Sequence, residues 1–294
     1  YQSTGDPFNG INAAALALQC GERPKMYEYA AGVRDKLLKV QEDKLDHWGL
    51  ATLGEAYLLL ERFDDAFDWY GKAAGAGAAY PQDIAVMRWQ ARLNLKALKV
   101  DQSARLEKTL PVPRVLAYFG HRVDADDRAT PRFHRDKVGA VRRAIRERLE
   151  KYGTLHGFGQ AASGSDLIFL EELVKKGLTA VVVLPFKDED FVATSVGDAW
   201  RDRFERMRTE RLVTFRKPLT ADRPSDAELP RTFATANREV LRLTLECAEI
   251  FDEKPVVVAV WDGKEGDGPG GTADAVHLWR DEGYDVDVID ITKL

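Results

Sequence analysis

Two stretches of this 294-residue chain are apolar at every position: Ala180-Val181-Val182-Val183-Leu184 and Val256-Val257-Val258-Ala259-Val260. A strand with one wet face alternates apolar and polar residues. A strand with no polar position is covered on both faces, as in a parallel sheet flanked by helices. The surrounding sequence agrees. Strands are predicted at 115–119, 154–158, 179–184, 212–215, 256–261 and 286–291. Amphipathic helices are predicted near 135–151, 165–176, 196–208, 233–251 and 271–282. This alternation predicts a doubly wound, mainly parallel α/β domain of the Rossmann-like kind. Ligands of such sheets bind at the carboxyl ends of the strands, where the strand order reverses.

Ahead of these strands the period is different. Residues 9–20, 24–40, 47–60, 63–75 and 82–99 repeat apolar positions every three or four residues, the helical period. Pro24 and Pro81 fall near helix starts, where the missing N–H costs nothing. Thr109-Leu110-Pro111-Val112-Pro113 is held extended by its prolines and reads as a linker. The chain is therefore expected to divide into an all-α domain, 1–108, and an α/β domain, 109–294. Within the first, Leu53-Gly54-x-x-Tyr57, Ala66, Tyr70 and Ala73 have the spacing of a tetratricopeptide repeat. Small residues there let two helices approach, and the aromatics fill the gaps. Residues 11–40 resemble a second, degenerate pair, and a plain helical bundle is the alternative.

Composition narrows the function classes. Lys+Arg 43 against Asp+Glu 48 gives a net charge of −5, which argues against a dominant nucleic-acid-binding role and leaves only a local basic groove open, so no nucleic-acid partner is expected. No apolar run is long enough to span a bilayer, so no membrane partner is expected. Cys20 and Cys247 form neither a zinc spacing nor a disulfide framework, which makes a reducing cytoplasm the default. No metal and no resident cofactor are expected. A start at Tyr1 rather than Met suggests a trimmed chain.

Three loops after strands carry the candidate chemistry. In Phe119-Gly120-His121-Arg122-Val123-Asp124, Gly120 permits a sharp turn, Arg122 suits a phosphate, and Asp124 suits a ribose or base. His121 projects beside them. In Gly157-Phe158-Gly159-Gln160-Ala161-Ala162-Ser163-Gly164-Ser165-Asp166, small residues let backbone amides approach an anion at a helix start. Ser165 or Asp166 can equally be a simple N-cap. The third loop runs from Trp261 through Lys264, Gly266, Gly268, Pro269, Gly270 and Gly271 to Thr272, again at a helix start. Its alternative is a surface loop without a ligand. His134, His156 and His277 have no metal-type partner at i+3 or i+4. Ser195 has no evident base. The run Arg142-Arg143-x-x-Arg146-x-Arg148 reads as the wet face of a helix.

Together the loops resemble the SLOG superfamily, the Rossmann-like domains named after SMF/DprA and LOG proteins. Gly157-x-Gly159 through Gly164-x-Asp166, a helix with Glu171, and the strand ending at Pro185 are similar to its first glycine motif. Gly268-Pro269-Gly270-Gly271-Thr272 is similar to its second. The resemblance implies loops that cradle a nucleotide or nucleotide-derived ligand, and a possible homodimer. Some members hydrolyse the N-glycosidic bond of a nucleoside monophosphate, and others only sense a ligand. The hydrolytic members carry a glutamate after the glycine–threonine pair with two residues between. Here that place holds Ala275, with Asp274 before it. The first half, with Gly10-Ile11-Asn12-Ala13-Ala14 and the segment 48–57, is similar to the tetratricopeptide-like "TRAFs-binding" region fused to such domains.

Three functions follow as expectations. One is a regulatory sensor that binds a nucleotide-derived molecule at Gly120, His121, Arg122, Asp124, Gly157, Gly159, Gly164, Asp166, Lys264, Gly268, Gly270, Gly271 and Thr272. Its helical repeats would engage a protein partner. The second is a nucleotide N-glycosidase or base-exchange enzyme, with Asp166 and Glu171 the catalytic candidates and Asp124 or Asp274 alternatives. The third is a non-catalytic scaffold.

Overall fold

A computed structural model describes residues 6–76, 80–124, 128, 131–153, 155–266 and 269–294. It contains two compact units. One comprises residues up to Val112 with Ile250–Asp252, the other Pro113–Glu249 with Glu253–Leu294.

The first unit is built from α1 (Pro7–Gln19), α2 (Arg23–Leu37), α3 (His47–Leu59), α4 (Phe63–Gly75), α5 (Pro81–Leu98) and α6 (Ser103–Thr109). Each of α1, α2 and α5 has proline in its first turn. Asp6 and Asp46 accept backbone amides at the starts of α1 and α3. α1 packs on α2 and α3 on α4. Gly54 explains how closely the second pair approaches: a β-carbon there would lie 2.9 Å from the Tyr70 ring. The helical periodicity does not anticipate α6, whose Leu106 is buried in the same core with Leu110.

The second unit runs β1 (Arg114–Gly120), α7 (Val138–Tyr152), β2 (Leu155–Gly159), α8 (Ser165–Lys175), β3 (Thr179–Val182), α9 (Asp188–Phe191), α10 (Arg201–Thr209), β4 (Val213–Phe215), α11 (Leu229–Ile250), β5 (Val256–Trp261), α12 (Thr272–Asp281) and β6 (Val286–Asp290). The six strands form one sheet in the order β4-β3-β2-β1-β5-β6, and every neighbouring pair is parallel. Burial follows the strand period of two. Leu116, Tyr118, Val256, Val258 and Val260 enter the core that holds Ile145, Ile168 and Phe169. Ala117, Val257, Ala259 and Trp261 enter clusters on the opposite face, with Val276 and Trp279 of α12. This two-sided burial is the physical reason for the unbroken apolar runs.

Two helices depart furthest from the predicted boundaries. The helix expected from 196 is split: Gly197, at φ +74°, separates a wide turn at Val192–Val196 from a short turn at Asp198–Trp200 before α10 begins. α11 starts at Leu229 rather than 233, with Pro230 in its first turn, where proline is tolerated. Among the described residues, no helix is long and apolar enough to cross a membrane.

Candidate functional site

Strand order reverses at β1, which lies between β2 and β5. The loops leaving β1 and β5 therefore diverge from adjacent strand ends, and a cleft opens there. Its volume is ≈ 440 Å³, within the range of small-molecule sites. Of the residues the sequence nominates, Gly120, His121, Arg122, Asp124, Asp166, Gly270, Gly271 and Thr272 line it.

His121 sits at its floor. Its backbone amide continues the β1–β5 pairing by donating to the Val260 carbonyl at 3.0 Å. The ring is buried, with Nε2 3.0 Å from Asp262 Oδ1 and Nδ1 3.3 Å from Thr272 Oγ1. A ring protonated on Nε2 donates to the Asp262 carboxylate and accepts from the Thr272 hydroxyl at Nδ1. The Asp262 amide, 3.2 Å from Nε2, serves the other tautomer. Burial lowers the His121 pKa against the opposing pull of Asp262, which favours the neutral ring. Burial also pushes the Asp262 carboxyl up, but the Lys264 amide and His121 outweigh it and leave it below the usual range.

Gly120 lets α8 close onto this strand end. A β-carbon on Gly120 would fall 2.7 Å from Ser165 Cβ and 2.8 Å from Val260 Cβ. Ser165 uses the contact, donating from its hydroxyl (2.8 Å) and its amide (3.1 Å) to the His121 carbonyl. One residue on, Asp166 is 7% exposed and faces the cleft. Its Oδ2 accepts the Ala162 amide at 3.2 Å, the Gly120 backbone amide also favours the ionised carboxyl, and among the described residues Oδ1 makes no hydrogen bond of good geometry. Burial drives its pKa up to about 7, against the opposing effects of the Ala162 amide and Arg122.

Asp124 has a different task from the one its position suggests. Its Oδ2 accepts the amides of Arg132 (2.7 Å) and Phe133 (2.6 Å), and its Oδ1 lies 3.4 Å from Arg128 Nε. The carboxylate is occupied in pinning the loop that brings Arg128 and Arg132 to the cleft wall.

The opposite wall comes from α12 and α11. Gly271 is the N-cap of α12, and among the described residues no side chain caps this helix. Gly270, at φ +85°, packs its backbone on α11: a β-carbon there would lie 2.5 Å from Phe233 Cβ and 2.8 Å from the Pro230 carbonyl. Asn237 donates to the Gly270 carbonyl (3.3 Å) and accepts from Gln160 (2.9 Å), joining the walls. Asp274 accepts the Gly270 amide at 3.1 Å, whereas Ala275 lines the cleft.

Several nominated residues lie elsewhere. Gly157 and Gly159 are inside β2, where β-carbons would lie 2.6 Å from Leu173 and 2.3 Å from Tyr118. Their lack of a side chain serves the core, not a phosphate. Gly164, at φ +90°, backs onto the Val123 peptide, whose nitrogen a β-carbon there would meet at 2.6 Å. Lys264 is exposed outside the cleft lining. Gly268 falls outside the described residues. Glu171 is corrected more strongly. It points to a separate arginine cluster, pairing with Arg142 (2.5 Å) and Arg203 (2.6 Å). Burial raises its carboxyl pKa, but these arginines outweigh that and hold it below the usual range. The arginine run lies on the helix surface, with Arg143 exposed and Arg142, Arg146 and Arg148 half-exposed but ion-paired. Arg142 and Arg146 bind Glu172, and Arg148 binds Asp287.

The sequence does not single out Asp262, Arg128, Arg132 or Asn237, and Ser195, set aside there as a nucleophile for want of a base, lines the cleft. Asp262 was inside a nominated loop, so its polarity next to a strand end was the available signal. Asn237 gave none, because it lies within α11. Among the described residues no group of three or more His, Cys, Asp or Glu is arranged to hold a metal ion.

No protein-family model matches the chain, and no curated protein sequence does. Among solved structures, the X-ray structure of DNA processing protein A (DprA) from Streptococcus pneumoniae is similar, at 14% identity and a TM-score of 0.33, over 76% of this chain and 88% of that one. That protein is named for DNA processing; the expectation of no nucleic-acid partner is withdrawn. The exclusion rested on net charge, and a charge summed over the chain does not describe one face. Arg122, Arg128 and Arg132 line a single cleft of this acidic chain.

Proposed function

We propose that the α/β unit is a SLOG-type sensor domain that binds a nucleotide-derived anion. The observation that carries this reading is the convergence of Arg122, Arg128 and Arg132 with the start of α12 on one cleft. Backbone amides at a helix start and guanidinium groups are complementary to phosphate. The sequence resemblance supplies the ligand class. It also speaks against N-glycosidic hydrolysis, since Ala275 stands on the cleft wall where the hydrolytic members carry glutamate. Asp274 is turned into its own loop. The helical unit, similar to tetratricopeptide-like regions, is read as the part that engages a protein partner.

Calorimetry of the full chain against nucleoside mono- and diphosphates, cyclic nucleotides, NAD, ADP-ribose and short single-stranded DNA tests the reading. Saturable binding of a nucleotide without base release supports it. No binding across the panel refutes it. Asp166 favours a second reading, because a carboxyl with a pKa of about 7 suits general acid–base work. Base release that disappears in Asp166→Asn would establish that reading instead.

A further inference from the structure

We propose that Asp166 and Ser195 form a hydroxyl-recognising subsite that takes the vicinal diol of a ribose, at the α8 side of the cleft. The inference rests on the nucleotide reading above and adds which part of the ligand goes where.

Ser195 lies in the wide turn at Val192–Val196 and is 1% exposed, yet it lines the same cleft as Asp166. Both carry a buried polar atom without a partner among the described residues: Asp166 Oδ1 and Ser195 Oγ. Buried polar atoms are almost always paired, because leaving one unpaired forfeits its hydration. Two such atoms on one cleft wall mark a place built for a polar ligand. They are also held by neighbouring peptide units. The Ala162 amide binds Asp166 Oδ2 at 3.2 Å, and the Ser163 amide binds the Ser195 carbonyl at 3.0 Å.

The chemistry of the pair selects the ligand group. A carboxyl oxygen and a hydroxyl accept hydrogen bonds, and the hydroxyl also donates. A phosphate beside Asp166 would meet a carboxyl acceptor, whereas the arginines and the start of α12 offer donors. The phosphate end therefore belongs with Arg128, Arg132 and α12. A neutral group that both donates and accepts belongs with Asp166 and Ser195. Adjacent sugar hydroxyls meet that requirement. With its pKa near 7, Asp166 can also donate in part of the population at neutral pH.

The test uses the full chain and the four ribonucleoside 5′-diphosphates, each beside its 2′,3′-dideoxy counterpart. A ribo form that binds at least about tenfold tighter than its dideoxy form is expected, as for a site whose polar groups are left unpaired by the analogue. Asp166→Asn and Ser195→Ala are each expected to reduce that ratio severalfold, with the dideoxy affinity changed less than twofold. Equal ribo and dideoxy affinities in the unmodified protein would overturn the subsite while leaving the nucleotide site standing. So would variants that weaken both forms by the same factor. If none of the eight nucleotides binds, the subsite as proposed falls, and the nucleotide reading is decided by the wider panel. Thermal melting of each variant checks folding, and Ser195→Ala alone carries the test if Asp166→Asn does not fold.

Discussion

Replacing Asp166 by asparagine should stabilise the protein increasingly as pH rises, and leave it nearly unchanged only below about pH 4. The side chain is 7% exposed, and burial raises its pKa from 3.8 to about 7. The folded state then binds a proton that the unfolded chain gives up near pH 4. Stability from this group is fully present below the unfolded pKa and is lost as pH rises through the folded one. A shift of about three units corresponds to about 4 kcal/mol over the whole range. Between pH 5.5 and 8.5 the linkage relation gives a loss of about 2 kcal/mol. Asparagine keeps an acceptor for the Ala162 amide and never ionises, so the variant should not lose that increment. Urea unfolding of both proteins at pH 5.5, 7.0 and 8.5 isolates the effect, because every other titrating group cancels in the difference. The advantage of the variant should grow by about 2 kcal/mol from pH 5.5 to 8.5. Parallel curves would mean that Asp166 titrates normally and that the cleft does not desolvate it.

The helical unit offers a parallel case. Burial raises the pKa of Glu55 to about 7, although Asn94 (2.8 Å) and Gln90 (3.2 Å) donate to its Oε1. Glu55→Gln should therefore gain about 2 kcal/mol on the wild type between pH 5.5 and 8.5, by the same unfolding measurement. Gly120→Ala places a methyl 2.7 Å from Ser165 Cβ and should cost about 1–3 kcal/mol in thermal or urea unfolding, with weaker nucleotide binding as α8 is pushed from the strand end. Arg122→Ala should weaken a nucleoside diphosphate roughly 10- to 100-fold in calorimetry, the value of a charge-assisted hydrogen bond, and flatten the salt dependence. An unchanged affinity would place the phosphate away from Arg122.

The sheet was legible because its signal is collective. β3 and β5 need only a run such as Val256–Val260, in which each residue repeats the same message about burial. β1 adds Leu116, Ala117 and Tyr118, all fully buried. The reversal of strand order at β1 follows from no single residue. It was reachable only as a general property of doubly wound sheets, yet it is what makes loops separated by about 140 residues share a cleft. Local signals failed where one residue decides. Gly197 breaks a helical pattern that its neighbours support, since a φ of +74° is open to glycine and strained for the others.

The site shows a further limit, and it concerns what glycine means. A glycine-rich stretch states that something comes close to the backbone. It does not state what. At Gly159 the visitor is the Tyr118 ring, at Gly164 the peptide of Val123, and at Gly270 the side of α11. Only the last of these three lines the cleft, and it does so while packed on protein. The motif spacing alone gives all three the same weight. Polar residues divide in the same way. Asp124 and Asp274 sit where a ligand contact was expected, but both spend their carboxylates on backbone amides of their own loops. Asp166 and Ser195 keep an atom unspent. Which carboxylate meets a ligand therefore depends on the hydrogen bonds left unmade in the folded chain, a quantity that residue type and spacing do not contain. Alanine at Gly159 should accordingly cost stability against the Tyr118 ring, and alanine at Gly271 should cost affinity, when each variant is measured both by urea unfolding and by nucleotide titration. The opposite assignment would show that the motif, and not the packing, locates the ligand.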